Sequence, residues 1–265
     1  NINNWGHGAG ILIGIVLCLL LGYPERRPDT FLHKSGAAVC IVVVRPLVRA
    51  ESLETQNEAL FAQLQRGKGL EDFAYLDGHY LLSLDGSGYF SSKTVHCKHC
   101  GEKHHRDGSV TYYHQMLGAV LVHPDQSEVI PLAPEPILKQ DGAQKNDCER
   151  NAAKRLLSDL RRAHPHLKLI VIEDALASNA PHIRQLQALD LRFILGAKRS
   201  DHTFLFDWVE TSEQTTETAV TDNKGVRHRF RYLNGAPLND ANFELEVNFL
   251  EYWEHLPDGR ITHFA

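Results

Sequence analysis

Two apolar runs, each ending on a carboxylate, limit what this chain can fold into. The stretch His79–Phe90 (HYLLSLDGSGYF) delivers Asp85 to a Gly-Ser-Gly turn, and Leu167–Asp174 (LKLIVIED) is a continuous apolar run closed by an acidic pair. Apolar residues at every position, rather than at alternate ones, are the pattern of a strand buried on both faces. An aspartate after one strand is ordinarily a turn starter. Two such aspartates at the ends of two buried strands suggest a shared cation site, with the carboxylates of Asp85 and Asp174 as ligands. Glu173 points to the other face if the strand continues regularly, and its expected fate is a salt bridge or solvent.

The neighbouring segments have alternating character. Glu51–Gln65 has helical periodicity, with Leu53, Leu60, Phe61 and Leu64 on roughly one face. Thr111–Pro124 and Glu128–Ile137 read as a hairpin turned at Pro124-Asp125. Asn146 followed by Glu149 is a capping box that opens a helix running to about Ala163, with Ala152, Ala153, Leu156, Leu157 and Leu160 as its apolar face. Leu167–Asp174 then reads as the parallel strand of a crossover, and Ala180–Leu189 with Arg192–Ala197 as a second crossover. Beyond Asp201 the texture turns Thr/Glu-rich, and strands are expected at Arg227–Leu233, Glu246–Trp253 and Arg260–Ala265. Asn234-Gly235 and Asp258-Gly259 are the turn signals between them.

The first 56 residues stand apart. Asn1–Pro24 carries no Lys, Arg, Asp or Glu, yet its apolar heart, Ile11–Leu21, is shorter than the ~20 residues of a membrane span. It also lacks the flanks of a signal peptide. A buried or interfacial helix, or sequence foreign to the rest, fits better, and Gly36–Val44 reads as a strand. The chain of 265 residues is 43% hydrophobic, enough for a sizeable core, and its formal net charge of -5 gives no global attraction to nucleic acid. Any DNA-binding face must therefore be local.

Five cysteines, at 18, 40, 97, 100 and 148, are an odd and scattered set that argues for a reducing compartment. One close pair sits in HCKHCGEKHH, residues 96–105. Cys97 and Cys100 with His104 and His105 have the ligand types and spacing of a structural zinc knuckle, with His96 and His99 as alternates. The bland alternative is two reduced cysteines in a turn.

Three antiparallel strands with an acid on the first, a helix, a strand ending in an acid, then helix and strand, is the order of a ribonuclease-H-like α/β fold. From about Asn57 onward the chain resembles the DDE transposases of bacterial insertion sequences, in the group with a β-strand insertion between the second and third acids. The resemblance rests on LLSLDGSGYFSS, HQMLGAVLVHP, VIPLAPEPI, KNDCERNAAKRLL, LIVIEDALASNAPHI, FILGAK and VNFLEYWE, in that order. It implies a catalytic core over residues 57–200 and a β-rich insertion over 201–265, with a mixed sheet flanked by helices. It also implies Asp85 and Asp174 as the first two catalytic acids, holding Mg²⁺ or Mn²⁺ for phosphodiester cleavage and strand transfer.

The family's third acid, a glutamate on a helix after the insertion, would fall beyond Ala265. The chain as given is therefore expected to be inactive, with Glu251 and Glu254 as poor substitutes. Double-stranded DNA is the implied partner, and Lys139, Lys145, Arg150, Lys154 and Arg155 its tentative contacts. A homodimer, no membrane partner, and a bacterial cytoplasmic, nucleoid-associated location complete the expectation. The rival readings are a ribonuclease-H-like nuclease without strand transfer and a zinc-stabilised DNA-binding module.

Overall fold

The computed structural model describes residues 50–132, 134–138 and 147–265. The apolar segment Ile11–Leu21, the strand expected at Gly36–Val44, and Cys18, Cys40, Lys139 and Lys145 lie outside the described residues. Helix α1 (Ala50–Arg66) leads through the short strand β1 (Ala74–Tyr75) into the long β2 (His79–Ser92). Strands β3 (Gly101–His104) and β4 (Val110–Val122) follow, and two short strands, β5 (Ile130–Pro131) and β6 (Glu135–Ile137), come next. Helix α2 (Glu149–Ala163), β7 (Leu169–Glu173), α3 (Ala180–Ala188) and β8 (Arg192–Leu195) complete the first unit of the fold.

These elements make one mixed sheet of order β3-β4-β2-β7-β8. The β3/β4 and β4/β2 pairs are antiparallel, whereas β2/β7 and β7/β8 are parallel. The hairpin expected after Pro124 forms in two pieces, since β5 and β6 both pair with β4 beside β3. The architecture is thus mixed α/β with helices packed on the sheet, plus a separate antiparallel sheet.

Alternation on β4 buries Leu117, Ala119 and Leu121 on the face where β2 contributes Leu82 and Leu84, and β7 contributes Leu169 and Val171. All five residues of the apolar stripe on α2 are buried against that face, and Phe61 of α1 closes one side. Burying such side chains contributes roughly 1.5–3 kcal/mol each before entropy is charged against it.

Three local expectations change. The Gly86-Ser87-Gly88 stretch is no turn: β2 continues through it to Ser92, with only a register shift between Gly88 and Phe90. Pairing with β4 along its whole length outweighs the weak strand preference of glycine, so Asp85 lies mid-strand. The helix start expected at the capping box also moves, and Asn146 lies outside the described residues. Helix α2 begins at Glu149 with Cys148 as N-cap and no side-chain cap, which places Glu149 in the first turn rather than at the reciprocal capping position.

Third, Asn234-Gly235 does not end a strand. The final strands are β9 (Thr216–Thr221), β10 (Arg227–Asn239), β11 (Asn242–His255) and β12 (Ile261–Phe264), preceded by helix α4 (Thr203–Thr211). They form a sheet of order β12-β11-β10-β9. Gly235, at φ +68°, sits in a bulge of β10, where its N–H donates to Asn248 Oδ1 at 3.2 Å. The hairpin reverses five residues later, between Asn239 and Asn242. Asp258-Gly259 is a turn as expected, with Gly259 at φ +85°. Leu205, Phe206 and Val209 of α4 pack on Leu233, Ala236 and Phe249 of this sheet.

Arg161, near the end of α2, is a structural residue. Its guanidinium donates to the carbonyl oxygens of Leu189 (2.8 Å), Leu167 (3.0 Å), Asp190 (3.0 Å) and Pro165 (3.2 Å), tying the helix end to two loops. Arg162 beside it is exposed and, among the described residues, pairs with Asp159. Arg161→Ala is expected to lower stability by about 2–3 kcal/mol, because it strips charged donors from several carbonyls. Arg162→Ala should stay within about 0.5 kcal/mol. Denaturant melts of the two variants against wild type check this; equal effects would refute the clamp.

Candidate metal and nucleic-acid site

The parallel ladder of β2 and β7 pairs Ser83 with Ile172. Asp85 and Asp174 each lie two residues further on, so the same register carries them out side by side at the mouth of the sheet. Asp85 faces Gly118 across β4 and is exposed. Asp174 follows the last residue of β7, and its Oδ1 accepts the N–H of Leu176 at 2.9 Å. The aspartate does start a turn, and that turn aims its carboxylate.

A third carboxylate joins them. Glu149, the first residue of α2, lies so near β2 that a β-carbon at Gly86 would come within 2.0 Å of its Oε1. Burial pushes the Glu149 carboxyl above its ordinary range, and the negative charges of Asp85 and Asp174 push it further the same way. The helix N-terminus partly offsets this cost, since its unpaired N–H groups favour an anion. All three acids line one cleft of about 710 Å³. The sequence reading missed Glu149 because its place after Asn146 made it look like a capping residue. Its position at the start of the helix that crosses the sheet was the available clue.

Glu173 does not turn away as expected: it lines the same cleft as the three acids, on the face of β7 that carries Leu169 and Val171. Its Oε2 meets His182 Nε2 at 2.5 Å, and both side chains are nearly buried. The Asn179 side chain caps α3 by accepting the N–H of His182, which holds that histidine in place.

Of the tentative DNA contacts, Arg150 and Lys154 are exposed and line the same cleft as the acids. Arg155 does not serve that role. Its guanidinium is spent on Glu135 at 2.5 Å and Asp147 at 2.7 Å, pinning α2 to β6. Glu251 is buried in the second sheet between Arg231 and His263, so it belongs to another ion network. Glu254 pairs across to His228 and Thr262 in the same sheet.

The cysteine pair finds a histidine other than the two expected. Cys97, Cys100 and His114 form a group that could hold a metal ion, with His114 reaching in from β4. His105 Nε2 instead meets Thr111 Oγ1 at 2.8 Å, and His104 faces Glu102 at 3.4 Å. Strand β3 runs away from the knuckle, so it carries both residues out of reach. A C-x-x-C followed by His with thirteen residues between (101–113) is itself a zinc-type spacing.

Because the three clustered acids repel one another at neutral pH, Glu149→Gln should raise the melting temperature of the protein without divalent cations. The gain should be modest, on the order of 1–3 °C once solvent screening is allowed for. A carboxyl with a raised folded pKa favours folding at low pH and loses that contribution as pH rises through it, so the gain should vanish in acid. Scanning calorimetry at acid and neutral pH checks both; a fall in melting temperature at neutral pH would show that Glu149 is held by attraction instead.

No protein-family model matches the chain, and no curated protein matches it. Among solved structures, a cryo-EM structure of a piggyBac transposase synaptic complex with hairpin DNA is similar to it at 12% identity and a TM-score of 0.33. That likeness covers 60% of this chain and 31% of the other, so the chain spans less than two thirds of that transposase. No helix among the described residues is long and apolar enough to cross a membrane.

Proposed function

We propose that this chain carries the metal-dependent phosphoryl-transfer core of a DDE-type DNA transposase with a ribonuclease-H-like sheet. The observation that carries the reading is the convergence of Asp85, Asp174 and Glu149 on one open cleft that Arg150 and Lys154 also line. The sheet order, with the first acid on the central strand and the second at the end of its parallel neighbour, supports it as well.

Hard cations such as Mg²⁺ or Mn²⁺ take carboxylates plus phosphate oxygens, and two such ions supply an activated nucleophile and a stabilised leaving oxygen. Asp85 and Asp174 would hold them, with Glu149 as a further carboxylate. The chain's own part is then to fix these oxygens on rigid strands and a helix end, while Arg150 and Lys154 neutralise phosphates of double-stranded DNA. Zinc suits the thiolate and imidazole group better than magnesium does. Strand transfer at transposon ends is the activity this core would serve. A homodimer and a bacterial nucleoid setting belong to the same reading.

Mn²⁺ binding followed by electron paramagnetic resonance tests the core claim. Wild type is expected to bind, and Asp85→Asn and Asp174→Asn should each weaken binding at least tenfold. With a DNA substrate and Mg²⁺, each should also lower cleavage by on the order of 10²–10³ relative to whatever rate the parent shows. Equal Mn²⁺ affinity in all three proteins would overturn the assignment.

A further inference from the structure

Residues 93–96 of the loop between β2 and β3 are half-buried or exposed; the Ser92 hydroxyl accepts the N–H groups of Thr94 and Val95, and the His96 ring stacks on Tyr112 of β4 at 4.3 Å. The loop ends in a tightly ordered knuckle. Cys100 N–H donates to Cys97 O at 3.1 Å, and the N–H groups of Cys97 and His99 point at Cys100 Sγ (3.2 Å) and Cys97 Sγ (3.4 Å). Backbone N–H groups aimed at both sulfurs stabilise thiolates in preference to thiols.

The spacing of the three donor atoms is more telling. Cys97 Sγ and Cys100 Sγ are 3.7 Å apart, and they lie 3.4 Å and 3.3 Å from His114 Nε2. With Zn–S of ~2.3 Å and Zn–N of ~2.0–2.1 Å, tetrahedral angles require S···S of about 3.8 Å and S···N of about 3.5 Å. The three atoms thus mark one face of a tetrahedron around a single ion. Two of the three residues, Cys100 and His114, are buried, whereas Cys97 is half-buried, so access to the remaining corner is from the Cys97 side.

We propose that Cys97, Cys100 and His114 hold one zinc ion, with its fourth position completed by solvent, and that this ion fastens the loop after β2 to the middle of β4. Phe90 of β2 and Gly101 of β3 pair with His114 and Tyr113 of β4, so the ion sits where three strands meet. Four residues further along β4 is Gly118, which faces Asp85. The zinc therefore anchors the far end of the strand pair that carries the first acid. This deepens the zinc part of the reading above and does not depend on the carboxylates binding Mg²⁺.

Metal analysis of the full chain, purified without chelator, should find one zinc per molecule. Cys97→Ser, Cys100→Ser and His114→Ala should each lose it. His96→Ala, His99→Ala, His104→Ala and His105→Ala should retain it, as should Asp85→Asn. Loss of zinc in any of those four histidine variants would overturn the solvent-completed site.

Should the cysteine variants fail to fold, thiol alkylation of the intact protein decides. Cys97 and Cys100 should be protected until a chelator is added, while exposed Cys148 reacts throughout. Equal reactivity of all three without chelator, or zinc-free protein of unchanged melting temperature on chelation, would refute the proposal. Zinc retained by a protein that binds no Mn²⁺ would refute the phosphoryl-transfer reading alone.

Discussion

Everything in the first unit depends on β2 being paired on both sides. Its antiparallel partner β4 and its parallel partner β7 satisfy its backbone, which leaves its side chains as the only means of choosing a register. Leu82 and Leu84 make that choice by facing α2 together with Leu117, Ala119, Leu121 and Val171. A slip of one residue would turn this set outward, so the core itself fixes where Asp85 emerges. The position of Asp174 is fixed by the same ladder, one strand over. A site assembled in this way costs little added order, because the residues that align the carboxylates are the ones that bury the most apolar surface.

Charge then works against packing at one end of the sheet. Three carboxylates meet there in the face of mutual repulsion, and no basic residue of the described chain forms an ion pair with Asp85, Asp174 or Glu149. The contrast with Glu135, Asp147 and Glu251 is informative, since each of those acids is matched by an arginine. Asp147 and Glu173, which line the same cleft, are likewise paired within the protein, and the cation site proposed for the other three acids rests on this contrast.

Much of this was legible in the sequence for a simple reason: strong periodicity survives tertiary context. The five buried residues of α2, the strand at Leu169–Glu173 and the helix at Ala180–Ala188 follow from apolar spacing alone. What escaped depended on contacts between distant segments. His114 looks like an ordinary polar residue within a strand until β3 folds beside β4 and brings the knuckle to it. Glu149 looks like a cap until the helix start is seen against Gly86. Helix α4 was hidden because its nine residues, TFLFDWVET, are apolar on too many sides to show a helical stripe, and the Thr-rich stretch after it dominated the reading. Gly-rich pairs misled twice, at Gly86-Ser87-Gly88 and at Asn234-Gly235, since the same dipeptide chemistry serves a bulge or a continuous strand as readily as a turn.

The bulge at Gly235 also determines what the outer hairpin can tolerate. Leu233, Ala236 and Leu238 are all buried, although strict alternation from 233 would send 236 and 238 outward. The extra residue resets the count, so one strand carries two frames of inside and outside joined at a single point. Leu233 and Ala236 then join the cluster under α4, while Leu238 joins the one beside Ile183 of α3. Two cores are thereby served by one continuous strand, and the bulge within it has no tolerance for gain or loss of length. Removing a single residue there would exchange the faces of everything up to the reversal at Asn239, exposing leucine and burying asparagine, whereas the same deletion in the turn at Asp258 would shorten a loop and leave both frames intact.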